Sequence, residues 1–169
     1  KSINIRIICL DKFVLNKPDW LEKIANDYPK HITLCEFDVA KDDISEIDGA
    51  MEAEYIVHMA SIASPSFYRK FPIETMDANV LGLRSLFEKY KYSEHLKGFL
   101  FLSSSEIYGD PSPENIPTPE SYRGRVSPIG PRACYDEAKR FGETLCYVFS
   151  KYENMPITIC RPFNNYGPG

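Results

Sequence analysis

The sequence predicts an α/β fold, a doubly wound parallel sheet, and three observations carry that reading. Short runs rich in β-branched residues recur along the chain, segments of helical spacing lie between them, and the runs end on Asp or Ser rather than on hairpin turns. Alternation of this kind implies right-handed crossovers with helices on both faces. Ligands then bind beyond the carboxyl ends of the strands.

The elements follow in order. Ile3–Leu10 is an apolar run that stops at Asp11, Ile32–Phe37 stops at Asp38, and Tyr55–Met59 stops at Ala60-Ser61. Between the first two, Pro18–Tyr28 has a proline suited to a helix start, and Lys41–Ile47 is short enough for one or two helical turns. Val80, Leu83, Phe87 and Tyr90 keep helical spacing after Asp77; Phe99–Leu102 reads as a strand; Ala138, Phe141, Leu145 and Val148 mark a second long helix; Ile157–Cys160 closes the series. Gly109–Pro131 holds six prolines and reads as a long functional loop.

A length of 169 residues with 43% hydrophobic content suits one domain with its own core. The net charge of -4, with Lys and Arg scattered, offers no basic face for nucleic acid. No stretch reaches the roughly 20 apolar residues of a membrane span. The five cysteines form no C-x-x-C pair, and Cys9, Cys35 and Cys160 fall in strand-like runs, which predicts buried thiols and a reducing, cytoplasmic setting. No metal site is expected.

Tyr-x-x-x-Lys sets a phenol and an ammonium one helical turn apart, so that the cation can favour the phenolate and make tyrosine a usable base. The pattern occurs twice, as Tyr135/Lys139 and Tyr147/Lys151. A helix returning from the carboxyl edge of the sheet begins near that edge, and Tyr147 lies about 18 Å further along it. Tyr135 is therefore the candidate base, and Tyr147 is assigned to packing. Ser103-Ser104-Ser105 directly follows the strand Phe99–Leu102, which brings a hydroxyl to the same edge, although a serine run also serves as a turn.

Ser103-Ser104-Ser105-Glu106-Ile107-Tyr108-Gly109, Tyr135-Asp136-Glu137-Ala138-Lys139 and Arg161-Pro162-Phe163-Asn164-Asn165-Tyr166-Gly167-Pro168 together resemble the extended short-chain dehydrogenase/reductase superfamily, the NAD-dependent epimerases and dehydratases. Within it, Tyr108-Gly109-Asp110-Pro111 and the run Pro128–Glu137 are most similar to UDP-glucuronate decarboxylases. The resemblance implies a Rossmann-type domain over residues 1–169 that lacks its first strand and glycine-rich turn, with the carboxyl-terminal sugar-binding region also absent. It implies NAD as cofactor, held by Asp11 on the adenosine ribose, Asp38 and Val39 at the adenine, Ala60 and Ser61 along the pyrophosphate and nicotinamide ribose, and Tyr135 with Lys139. A strand-end Asp is equally a turn former, and His58 reads as a satisfied core histidine. Asn79 resembles a family asparagine and also suits a backbone support.

The implied chemistry is oxidation of a nucleotide sugar at C4 by Ser104, Tyr135 and Lys139, followed by loss of carbon dioxide from a β-keto acid. Ser105 and Asn164 stand as substrate contacts and Glu106 as the catalytic acid residue. Dehydratases carry an Asp-Glu pair where this chain has Ser105-Glu106, which favours decarboxylation. Arg123 after Tyr122, and Pro162 with Asn165, are closer to dehydratases and epimerases, so a 4,6-dehydratase or 4-epimerase is the alternative, and a non-catalytic nucleotide-binding protein the third. The family commonly dimerises through two long helices, here around Val80–Tyr90 and Arg132–Tyr152, and a homodimer is expected.

Overall fold

The computed structural model describes residues 5–14 and 16–165. Ile3 of the first predicted strand, and Tyr166, Gly167 and Pro168 of the last motif, lie outside them. Among the described residues five strands form, β1 (Ile7–Asp11), β2 (Ile32–Glu36), β3 (Tyr55–His58), β4 (Gly98–Leu102) and β5 (Ile157–Cys160). The helices are α1 (Asp19–Asp27), α2 (Pro65–Lys70), α3 (Pro72–Asp77), α4 (Leu83–Tyr90) and α5 (Ala133–Tyr152).

Every strand pairing is parallel, as the alternation requires. The strands nevertheless form two sheets, β1-β2 and β3-β4-β5, rather than one. β1 and β3 share no ladder because no described strand lies between them, and Ile7, Tyr55 and Val57 are exposed as a result. What joins the halves is side-chain packing: Ile8 and Leu10 of β1 sit against the core that holds Phe99 and Phe101 of β4.

That core explains the placement of α4 and α5. Phe87 of α4 is fully buried, with its ring 4.8 Å from Phe99 of β4 and 4.9 Å from Phe149 of α5. α5 comes close enough for Gly142 to be required, since a Cβ there would lie 2.6 Å from the Phe101 ring. Tyr90 ends α4 by donating its hydroxyl to Ala50 O at 2.6 Å, which ties the helix to the loop before β3.

Several predicted boundaries shift for identifiable reasons. Lys41–Ile47 forms a single 3₁₀ turn, Ile44–Glu46, capped by Asp43, whose carboxylate accepts from Ser45 N at 2.9 Å. The helix expected after Asp77 starts earlier, because Pro65 and Pro72 occupy first-turn positions of α2 and α3, where the missing N–H costs nothing. Between α3 and α4 runs a π-helical segment, Ala78–Gly82. Gly109–Pro131 is a long loop with one 3₁₀ turn, Pro113–Asn115, pinned by the Gly109–Arg125 bridge.

Candidate active site

The carboxyl end of β4 passes straight into a 3₁₀ turn, Ser105–Tyr108, with Ser104 at its start. Ser104 is buried, and its Oγ accepts from Glu106 N at 3.2 Å, so the turn-forming role of the serine run is real. α5 begins at the same edge and carries Tyr135 and Lys139 on its buried face. Serine, tyrosine and lysine thus meet where the strand and helix order predicts.

Their electrostatics differ from expectation in one respect. Burial raises the Tyr135 phenol above its ordinary range, Ser104 acts to lower it, and Glu106 and Asp136 add to the rise. Lys139 does not bring the phenolate within reach here. Its Nζ lies 5.8 Å from the Tyr135 ring centroid and donates to Leu102 O at 2.6 Å. Burial pushes the ammonium itself down to about 8.

Two further groups hold Tyr135 in place. Tyr68 of α2 stacks on it, with ring centroids 5.2 Å apart and planes 13° apart. Arg132, the cap residue of α5, donates from Nη2 to Glu106 and from Nε to Asp136 at 3.4 Å. Asp136 is buried, which raises its carboxyl despite Arg132. Glu106, the candidate acid residue, is therefore an ion-pair partner of Arg132.

Behind the site, Asn79 is fully buried in the π-helical segment and donates to Ser61 Oγ at 2.9 Å and Thr75 O at 2.8 Å. Its Oδ1 has no partner among the described residues. π-segments often mark functional positions. His58 stacks on Phe101 with centroids 5.9 Å apart and is a core residue, but it is not fully satisfied, because Nε2 is buried without a partner. Burial, then Lys139, lower it to about 4, so it is neutral and no acid-base group near pH 7.

The remaining candidates spread along the strand ends. Asp11 is exposed at the end of β1, and its Oδ1 accepts from Phe13 N at 2.6 Å. Asp38 pairs with Lys12 at 2.8 Å and accepts from Ala40 N at 3.1 Å; these outweigh partial burial and keep its carboxyl below the usual range. Val39 packs on Gly82 of the π-helical segment, where its side chain and its carbonyl occupy the space a Cβ would need. Ala60 is exposed, Ser61 is half-buried, and Ser105 N donates to Pro162 O at 3.0 Å. Asn164 is exposed. Tyr147 is exposed rather than packed, and lies away from this edge.

A second polar cluster supports the loop after β4. Arg161 clamps both oxygens of Glu143 at 2.8 and 2.7 Å, and also donates to Tyr108 OH at 3.0 Å and Glu120 O at 2.8 Å. Ser103 donates to Glu143 at 2.6 Å. One bidentate pair thereby joins β5, α5, the serine run and the proline-rich loop.

Parallel strands alternating with helices agree with the comparisons. The profile of the NAD dependent epimerase/dehydratase family matches residues 2–169. The chain belongs to that family. It is 44% identical over 118 residues to UDP-glucuronic acid decarboxylase 1 of Xenopus tropicalis, covering 70% of this chain and 27% of that protein. To UDP-glucuronic acid decarboxylase 5 of Arabidopsis thaliana it is 37% identical over 162 residues, covering 96% of this chain and 44% of that protein. Among solved structures, UDP-glucuronic acid 4-epimerase from Bacillus cereus, in complex with NAD, superposes with a TM-score of 0.70 at 24% identity, covering 96% of this chain and 50% of that one. UDP-glucose 4-epimerase of Thermotoga maritima gives a TM-score of 0.72 at 23% identity, covering 92% of this chain and 47% of that one. The fold is thus Rossmann-type. The chain spans half or less of the length of these four proteins.

Proposed function

We propose that the whole protein is an NAD-dependent nucleotide-sugar lyase that decarboxylates UDP-glucuronate through a 4-keto intermediate. The observation that carries this is the convergence of Ser104, Tyr135 and Lys139 at the end of β4, with Glu106 as the one carboxylate in the Ser-Ser-Glu turn.

The residues fit NAD. Lys139 is a buried ammonium with one carbonyl acceptor, and ribose hydroxyls would supply the further acceptors such a group needs. Asp11 would take the adenosine ribose; Asp38 and the Val39 backbone, the adenine; Ala60 and Ser61, the nicotinamide side. When bound, NAD supplies hydride transfer to and from the sugar carbon. Tyr135 takes the proton of the C4 hydroxyl, Ser104 orients that hydroxyl, and Lys139 stabilises the charge. Ser105 and Asn164 contact the sugar nucleotide, and Glu106 assists the ring or the returning proton.

A 4-ketone β to the C6 carboxylate lets carbon dioxide leave with no acid delivered to C6, which one glutamate allows and dehydration does not favour. The full-length protein is expected to convert UDP-glucuronate, with NAD, to UDP-pentose or its 4-keto form. Absence of both products removes this reading. The breadth of the epimerase/dehydratase family leaves a second one, a 4-epimerase or 4,6-dehydratase, detected by supplying UDP-glucose or dTDP-glucose. A Tyr135→Phe protein that kept its function would instead point to a non-catalytic nucleotide-binding role.

The split between β1 and β3 supports a further strand between them in the whole protein. A homodimer fits the exposed outer faces of α3, the π-segment and α5, where Ile73, Leu81, Phe141 and Val148 face solvent. A cytoplasmic setting fits five free cysteines. No described helix is long and apolar enough to cross a membrane.

A further inference from the structure

We propose that Arg132 is a specificity residue: its guanidinium reads the carboxylate of an acidic nucleotide sugar and sets the preference for that acid over its neutral congener. This rests on the nucleotide-sugar reading above.

Arg132 stands one helical turn before Tyr135 and bridges two acids, Glu106 and Asp136. Asp136 is 7% exposed, whereas the Arg132 and Glu106 side chains are 44% and 37% exposed, so the fork rests on a buried acid and opens towards solvent. A guanidinium has five N–H donors. Nε is spent on Asp136 and one Nη2 donor on Glu106, while Nη1 has no acceptor among the described residues.

Three other cations at this edge are committed. Lys139 is buried on Leu102 O, Arg140 spends Nη1 on Ile107 O and Arg123 O, and Arg161 is held by Glu143. A sugar carboxylate arriving beside Tyr135 would meet Glu106 and Asp136 with like charge. Arg132 is the group placed to offset that repulsion, and its planar fork suits a carboxylate better than a hydroxymethyl. Glu106 competes for the same donors, so it should weaken the acid's binding in proportion.

The test is calorimetric titration of the NAD-loaded, full-length protein with UDP-glucuronate, UDP-glucose and UDP. Arg132→Gln should weaken UDP-glucuronate about tenfold or more while leaving UDP-glucose and UDP within about twofold, the scale of one charge-assisted hydrogen bond. Glu106→Gln should raise the preference for the acid. Equal weakening of all three ligands by Arg132→Gln indicates a structural role and overturns the proposal, as does an unchanged ratio. If Arg132→Gln fails to fold, Glu106→Gln decides, and a constant or reduced preference overturns it. Turnover of UDP-glucuronate by the unaltered protein is measured in parallel: no product removes the decarboxylase reading, whereas the binding ratios still judge Arg132.

Discussion

The ring of Tyr68 lies nearly flat on that of Tyr135, 5.2 Å between centroids, although the two residues come from helices on opposite sides of the loop after β4. Tyr68 is almost wholly buried, so it has little freedom to release its partner. Replacing it with Leu should lower turnover about 10- to 100-fold through misplacement of the phenol. Tyr68→Phe keeps the stacked ring and should retain most activity. Steady-state rates of the two variants, with thermal melts as control, check this.

Lys139 opposes stability where it serves chemistry. Burial lowers its pKa from 10.5 to about 8, so the folded protein disfavours the ammonium that dominates at neutral pH. Lys139→Met should abolish turnover and raise the stability of the cofactor-free protein by about 1–3 kcal/mol. Denaturant titration of both forms measures it.

His58 gives a pH dependence of defined sign. Its pKa falls from 6.5 to about 4 in the fold, so the unfolded chain binds more protons between those values and stability rises with pH across them. The contribution is complete above pH 6.5 and is lost on acidification towards pH 4, on the order of 3 kcal/mol in all. Melting curves from pH 4 to 7 should show this slope, and His58→Leu should flatten it.

The Glu143–Arg161 clamp spans four parts of the fold, and both side chains are mostly buried. Arg161→Met leaves Glu143 with only the Ser103 hydroxyl and should cost about 1–3 kcal/mol. Arg161→Lys keeps the charge without the fork and should recover part of that loss. Proteolysis of Gly109–Pro131 should quicken in the same order, because the Glu120 and Tyr108 contacts of that loop end on the same guanidinium.

The sequence was informative where chemistry coincides with local pattern. Apolar runs located all five strands, β-branched in four and Phe-Leu-Phe-Leu in β4, and the strand end at Leu102 with the helix start near Tyr135 put Ser104, Tyr135 and Lys139 at one edge. It was uninformative where distant residues meet. Glu106 and Arg132 are 26 residues apart and Glu143 and Arg161 are 18 apart, and no spacing announces such pairs. α2 and α3 were not legible because six residues each are too few to display a helical period, although Pro65 and Pro72 sit at first-turn positions. The raised phenol of Tyr135 was not legible for another reason. Helical spacing sets the two side chains on one face, but the depth of burial decides the sign of the shift, and depth is a property of the whole fold.

The π-helical segment Ala78–Gly82 also limits which changes of length the chain can accept. A π turn holds one residue more than an α turn, so losing one residue within it restores the α register, whereas losing one residue from α4 turns everything downstream by about 100°. A deletion near the start of α4 would swing Phe87 out of the core and the solvent-facing Glu88 in. Among natural descendants of this sequence, insertions and deletions should therefore gather in Gly109–Pro131 and be absent from α4, with loss of one residue accepted only within Ala78–Gly82.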